Sequence, residues 1–66
     1  MSSTDFEALG LRFNDRIWIQ DGSGFASWGK YLEDYDHDAQ TFLFQPDRGD
    51  HMRAVIHLPS VVTIER

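Results

Sequence analysis

The residues best suited to chemistry lie close together in the stretch YLEDYDHDAQTFLF, residues 31–44. It holds four carboxylates and one imidazole, with no Lys or Arg among them: Glu33, Asp34, Asp36, His37 and Asp38. The alternating aspartates resemble the start of a calcium loop, which also requires a glycine at its sixth position and a glutamate at its twelfth. Counted from Asp34, those positions hold Ala39 and Gln45. The pattern does not predict a calcium site, and His37 lacks the spaced partners of a transition-metal site, so we expect no metal and no cofactor.

Catalysis by these carboxylates is not predicted either. Acid–base catalysis needs two groups in different environments, so that one pKa is raised while the other stays low. Four carboxylates on one exposed loop share a single hydrated environment. The serines also lack the G-x-S-x-G setting of an activated nucleophile. We therefore expect a protein that is not an enzyme and has no catalytic residue.

Aromatic residues near the acidic loop favour binding over catalysis. Trp18 alternates with Ile17 and Ile19 and so belongs to the opposite face of a strand, where an exposed tryptophan can anchor a partner. Tyr35 lies within the loop, where its ring can stack on a base or meet an arginine of a partner. Packing of both tryptophans in the core remains an alternative. The candidate partner-binding residues are Trp18, Trp28, Glu33, Asp34, Tyr35, Asp36 and Asp38.

The charge balance favours a basic partner. The formal net charge is −5, and the six Lys and Arg residues are scattered along the sequence. Because affinity for nucleic acid comes largely from Lys and Arg at phosphates, such a surface would have to be assembled by folding or by oligomer symmetry. His51, Arg53 and His57 share one face of a predicted strand. A solvated face, a subunit edge and a surface for an anionic ligand all remain open for them.

The elements that position these residues begin with a short helix. Thr4 and Glu7 have the spacing of a capping box, which predicts a helix over about residues 5–9. Gly10 is expected to end it, because glycine tolerates the left-handed conformation of a helix C terminus. A helix this short is unstable alone, so Phe6 and Leu9 must dock on the rest of the protein.

The remainder of the chain predicts five strands. Their expected ranges are residues 16–20, 25–32, 40–45, 51–58 and 61–65. The sequences DGSG and PDRGD predict turns, and Pro59 is expected to end the fourth strand because proline has no amide donor. Gly29 inside the second strand predicts a bend or bulge. Such a bent sheet, over about residues 15–65, predicts a small closed barrel.

This order of elements resembles the Sm-like (LSm/Hfq-type) small β-barrels over residues 5–65. The nearest piece is VIHLPSVVTIE, which looks like the second Sm motif, a short strand, a tight turn and a VV.I strand. The resemblance implies rings in which the fourth strand of one subunit pairs with the fifth of the next, binding U-rich or A-rich RNA. SH3-like barrels share much of this pattern.

The positions that carry RNA binding in that family depart from its pattern here. Asp36 agrees with the family loop, but Asp38 stands where His is usual, Ala39 replaces a stacking Met, and Gln40 replaces Asn. The resemblance is therefore better evidence for shape than for RNA. Some members of this group are small acidic proteins that bind proteins, including inhibitors of a transcription-termination factor. The residues that the RNA reading would use are Lys30, Tyr35, Gln40, Arg53 and His57.

Length and composition complete the expectation. The chain has 66 residues, 41% of them hydrophobic, and no cysteine. A single domain of this size buries only about 60% of the surface of its unfolded chain, so partner binding is a natural supplement. Its start has neither a basic nor an apolar run, and a soluble cytoplasmic protein is expected. We expect a binding module, either a homo-oligomer associating through edge strands or a small acidic regulator or inhibitor of a basic partner, for example one that handles nucleic acid. The alternative is an Sm-like RNA-binding ring.

Overall fold

The computed structural model describes residues 1–48 and 53–66. It contains one short helix and five strands, with a 3-10 turn at Leu58–Ser60 between the last two strands. The elements are α1 (Ser3–Ala8), β1 (Arg16–Asp21), β2 (Ala26–Tyr31), β3 (Thr41–Pro46), β4 (Ala54–His57) and β5 (Val61–Glu65). The prediction of a mainly β protein with an N-terminal helix and five strands is confirmed. Gly49, Asp50, His51 and Met52, part of the predicted PDRGD turn and fourth strand, lie outside the described residues.

All five strands form one antiparallel sheet in the order β4-β3-β2-β1-β5. The predicted barrel is wrong, because the sheet is neither closed nor strongly curled. Pairing of β1 with β2 runs without interruption from Arg16↔Lys30 to Gln20↔Ala26, straight through Gly29. A shift of register lies instead between Gln20 and Asp21, where β1 meets β5. The sheet is open because β4 and β5, the strands at its two ends, do not pair with each other among the described residues.

Alternation along the strands divides the sheet into two faces. The inner face carries the hydrophobic core, in which Ile17, Ile19 and Phe44 are fully buried. The remaining core side chains are Phe6, Tyr31, Phe42, Ile56, Leu58, Val61 and Ile64. Trp18 and Trp28 lie on the opposite face, outside this core, so the alternative of core packing is wrong for both. We call this opposite face, with its exposed or half-buried side chains on β1 to β4, the outer face.

Close packing between two strands explains why position 29 is a glycine. A Cβ atom at this position would lie 2.3 Å from the Gln45 carbonyl oxygen and 2.5 Å from Cζ of the Phe44 ring. The ring of Phe44 therefore occupies the space that any side chain on residue 29 would need. The predicted bend or bulge is replaced by a site of close approach between two strands.

The helix begins earlier than the capping box predicts. Ser2 has an extended backbone and its hydroxyl accepts a hydrogen bond from the Asp5 amide at 3.1 Å. Thr4 lies inside α1, so its predicted role as the cap is wrong. Gly10 has φ +60° just beyond the helix, as predicted. Phe6 is buried and Leu9 packs against the core, which confirms that the helix docks on the sheet.

The hairpin between β1 and β2 uses the predicted turn. The Asp21 carboxylate accepts hydrogen bonds from the Ser23 amide, the Ser23 hydroxyl and the Phe25 amide. The hydrogen bond from the Ser23 hydroxyl is the main cause that lowers the pKa of Asp21. Gly24, at φ +100°, provides the left-handed residue that the turn needs.

α1 is too short to span a membrane, and the described residues contain no longer apolar helix that could do so.

Replacing Gly29 by alanine is expected to destabilise the protein by about 1–3 kcal/mol, because the added methyl group overlaps the Phe44 ring and the Gln45 carbonyl. Urea unfolding followed by tryptophan fluorescence measures this loss. Gly22→Ala is the control, since a Cβ there meets no atom closer than 3.8 Å, and we expect a change within about 0.5 kcal/mol. Equal stability of the two variants would contradict the packing explanation.

Replacing Ser2 by alanine is expected to cost about 1 kcal/mol, because the Asp5 amide loses its acceptor at the start of the helix. Thr4→Ala should cost little, since Thr4 is exposed inside the helix and alanine is a better helix former. The same unfolding assay compares the two variants. A larger loss for Thr4→Ala would restore the capping box as the start of the helix.

Candidate functional site

The acidic loop joins β2 to β3 in a compact, hydrogen-bonded form. Glu33 and Asp34 both adopt left-handed backbone conformations, at φ +65° and +60°. Asp36 then forms an isolated antiparallel bridge with Thr41, in which its amide donates to the Thr41 carbonyl at 2.8 Å. The loop is therefore held at both ends by the sheet.

Two of the four loop carboxylates accept hydrogen bonds that stabilise the loop. Asp36 Oδ1 accepts hydrogen bonds from the amides of Asp38 and Ala39, at 2.9 and 3.1 Å. Glu33 Oε1 accepts from the Phe13 amide at 3.2 Å, which ties the loop to the segment before β1. The side chains of Asp34 and Asp38 are exposed and make no hydrogen bond with a described residue. They are the two loop carboxylates with no internal structural role.

Tyr35 and His37 fix the loop against the helix. The Tyr35 ring centroid lies 5.0 Å from that of Phe6 and 4.6 Å from that of His37. His37 Nδ1 in turn lies 3.8 Å from Glu7 Oε1. Tyr35 is half-buried, and its hydroxyl is buried without a hydrogen-bond partner among the described residues. The Tyr35 ring thus packs against the core, and its contact with a base or a partner's arginine stays a prediction.

These contacts unite the carboxylates of the helix and the loop. The residues of α1 and of the segment 32–40 include no Lys or Arg. The carboxylates gathered there, which we call the acidic surface, are Asp5, Glu7, Glu33, Asp34, Asp36 and Asp38. Within the described part of the chain, no three His, Asp or Glu side chains are placed to hold a metal ion.

A shallow pocket of about 250 Å³ lies between the helix and the loop. It is lined by Phe6, Glu7, Gly10, Leu11, Tyr31, Tyr35 and His37. Burial raises the pKa of the Tyr31 phenol, and the neighbouring Glu33 and Tyr35 raise it further. The phenol is therefore neutral at physiological pH. Aromatic walls beside the Glu7 carboxylate suit the aliphatic stem and charged end of a lysine or arginine side chain.

The two tryptophans lie elsewhere, on the outer face. They are directly opposite each other in the pairing of β1 with β2, and Trp28 is 40% exposed. The Arg16 guanidinium lies 5.4 Å from the centre of the Trp28 ring and pairs with Asp47 through two hydrogen bonds, of 2.6 and 3.2 Å. A groove of about 270 Å³ runs beside them, lined by Trp18, Ala26, Ser27, Trp28, Asp47 and Arg48.

The structure therefore separates the predicted partner-binding residues into two groups. The tryptophans line the groove on the outer face, and Tyr35 lines the pocket between the helix and the loop. No described residue lines both. The residues of the RNA alternative are also divided. Lys30, Arg53 and His57 are exposed at outer-face positions, whereas Tyr35 packs on the core side and Gln40 binds the Leu58 amide through its backbone carbonyl.

Sequence reasoning missed the environment of Trp28. Arg16 alternates with Ile17 and Lys30 follows Trp28 by two residues, so the strand periodicity already indicated that both cations share a face with the tryptophans. The register that sets Arg16 opposite Lys30, and the ion pair to Asp47 thirty-one residues away, carry no local signal.

Comparison with known proteins identifies no relative: no protein family model, curated protein or solved structure matches this chain. What the protein does must therefore be argued from its own two surfaces.

Removing the Asp36 carboxylate is expected to loosen the loop, because Asp36→Ala deletes the acceptor of two backbone amides. We expect a loss of about 1 kcal/mol in unfolding free energy and faster hydrogen exchange at the amides of Asp38 and Ala39. Asp38→Ala removes the same charge without a hydrogen bond and should leave both nearly unchanged. Asp36→Asn, which keeps an acceptor oxygen, should recover most of the protection. Equal effects of Asp36→Ala and Asp38→Ala would mean that only charge matters.

Proposed function

We propose that this protein is a non-enzymatic binding module that docks a basic protein partner on its acidic surface. The observation that carries the proposal is the contact of the acidic loop with α1, in which Tyr35 packs on Phe6 and His37 approaches Glu7. That contact packs the acidic loop against the helix that carries Asp5 and Glu7.

The acidic surface is fixed before any partner arrives. Glu33 and Asp36 hold the loop backbone, so Asp34 and Asp38 present their charges from a defined position. A surface that is already ordered loses less conformational entropy on binding, and this favours affinity. Its excess of carboxylates also steers an oppositely charged protein and speeds the encounter.

The pocket adds a place for a side chain of the partner. It opens beside Glu7 and His37, where the helix meets the acidic loop. A lysine or arginine that enters it can pair with the Glu7 carboxylate while its stem packs on the ring of Tyr35. This arrangement supports a regulator or inhibitor of a basic protein more directly than it supports RNA, which the carboxylates repel.

The finer fold relation that we propose is to the Sm-like barrels, in an open form. Two observations support it: the helix preceding the sheet and the short 3-10 turn between β4 and β5. In the described residues, β4 pairs with β3 alone and β5 with β1 alone, so each carries an unpaired edge. Val55 and Val62 on these two strands are 66% and 61% exposed. Self-association through the edges is therefore the second candidate function, since an unpaired edge is a template for another strand.

Removing two charges from the acidic surface should weaken capture of a basic partner. With the purified chain immobilised, Asp34→Asn combined with Asp38→Asn is expected to weaken retention of partner proteins about tenfold, because two charge contacts are lost. Asparagine also tolerates the left-handed backbone of residue 34. Mass spectrometry of the retained proteins, at low and high salt, measures the effect.

The matched control removes two carboxylates elsewhere, through Asp47→Asn combined with Glu65→Gln. It has the same net charge as the test variant and should retain the partner as well as the unmodified chain does. An equal loss of retention with both variants would mean that net charge alone explains the effect. Retention of no protein with a basic surface, added copies of this chain included, would refute the proposal.

A further inference from the structure

The basic residues, scattered in sequence, are gathered by folding. Four of the six Lys and Arg residues lie on or beside the outer face: Arg16, Lys30, Arg48 and Arg53. Arg16 and Lys30 are directly opposite each other on β1 and β2, and Arg48 lines the groove beside the two tryptophans. Arg53 is exposed and directly precedes β4, at an alternate position to the exposed Val55. The outer face is therefore basic on a protein that is acidic as a whole.

Most of this positive charge is uncompensated. Asp47 neutralises Arg16, and Glu65 lies opposite Trp18 where β5 meets β1. Lys30, Arg48 and Arg53 form no ion pair with a described residue. These three cations share the outer face with the exposed Trp28 ring, and Arg48 lines the same groove as Trp28. An aromatic side chain beside arginine is typical of a protein interface with an aromatic anchor.

The acidic surface has the opposite sign and lies elsewhere on the molecule. It joins α1 and the loop after β2, whereas the outer-face groove lies beside Ala26, Ser27 and Trp28 at the start of β2 and in its first half. One molecule therefore carries two complementary patches that cannot meet within the same chain. Charge complementarity of this kind favours contact between a patch of one copy and the other patch of the next.

We propose that the partner of the acidic surface is a second copy of this chain, which docks the outer face around Trp28, Lys30 and Arg48 against that surface. The inference rests on the proposed function and names its partner. Since the two patches differ, the contact is head-to-tail: an open assembly keeps one free acidic surface at one end and one free outer face at the other, unless a ring closes. This contact differs from pairing of β4 with β5, which uses the sheet edges.

The size of the molecule bounds the strength of the contact. Its accessible surface is 4401 Å², and a standard interface covers about 800 Å² on each partner. Two such contacts on every copy would take more than a third of the surface. The association is therefore expected to be weak and strongly salt-dependent, because most of the charges involved are exposed and screened.

Two charge-reversal variants test the head-to-tail contact. The outer-face variant is Lys30→Glu with Arg48→Glu, and the acidic-surface variant is Glu7→Lys with Asp38→Lys. All four side chains are exposed, and of the four only Glu7 has an ion-pair partner among the described residues, the exposed His37. Circular dichroism of each variant verifies that it is folded.

Sedimentation velocity of the full chain at low and at high salt measures the association. The unmodified chain should associate at low salt, with a constant that falls at least about tenfold at high salt. Each variant alone should be monomeric, and an equimolar mixture should associate again, since each variant supplies the patch that the other lacks. Adding oligo-U to the unmodified chain tests whether the basic, aromatic outer face binds single-stranded RNA instead of a second copy.

A chain that stays monomeric at low salt would overturn the inference, as would association that persists in both variants alone. Binding of oligo-U at the outer face by a monomeric chain would also overturn it and assign that face to nucleic acid. None of these outcomes by itself refutes the proposed function. A monomeric chain that still captures a basic protein through Asp34 and Asp38 refutes self-recognition and keeps the binding module.

Discussion

The rest of the structure depends on the burial of the Phe6 ring. It stacks on Phe42 with a centroid distance of 5.1 Å and meets Tyr31 edge-on at 6.0 Å and Tyr35 at 5.0 Å. One side chain of a helix of six residues thereby contacts β2, β3 and the loop between them. Removing such a ring from water contributes about 1.5–3 kcal/mol, which a helix too short to be stable alone requires. The same contact decides where the loop lies.

Apolar packing at this point is what allows like charges to gather. The carboxylates of the helix and the loop repel one another, so electrostatics alone would hold the two elements apart. No charged side chain is buried among the described residues. Apart from carboxylates that bind backbone amides, such as Asp21 and Asp36, the charges contribute little to the stability of the fold. They remain available at the surface, where they govern association and its salt dependence. The outer face follows the same rule, since Arg16 and Lys30 extend from strands whose inner side chains, Ile17 and Tyr31, fill the core.

Much of the fold follows from local patterns in the sequence. The alternation around Ile17 and Ile19 predicts β1 and the outward position of Trp18, and Gly10 and Pro59 end their elements as expected. What local patterns miss depends on contacts between distant residues. Gly29 is glycine because the Phe44 ring fills its side-chain space, and a glycine in a strand has the same local appearance whether it bends the chain or is crowded. Closure of the sheet depends on the pairing of strands at its two ends, which alternation within each strand does not determine. For the candidate sites, charge composition predicts an acidic loop. Strand periodicity places Arg16 and Lys30 on the face of the tryptophans, but only the register of β1 and β2 sets the two cations directly opposite each other.

The central claim is that two oppositely charged surfaces of this protein meet between copies. Residue-resolved NMR of the isotopically labelled chain, recorded at low salt over a range of protein concentrations, tests it most directly. Head-to-tail contact predicts concentration-dependent shifts in α1, in residues 33–38 and around Arg16, Trp28 and Lys30, which disappear when salt is added. Shifts confined to the edge strands around Val55 and Val62, or spectra that do not change with concentration, would contradict it.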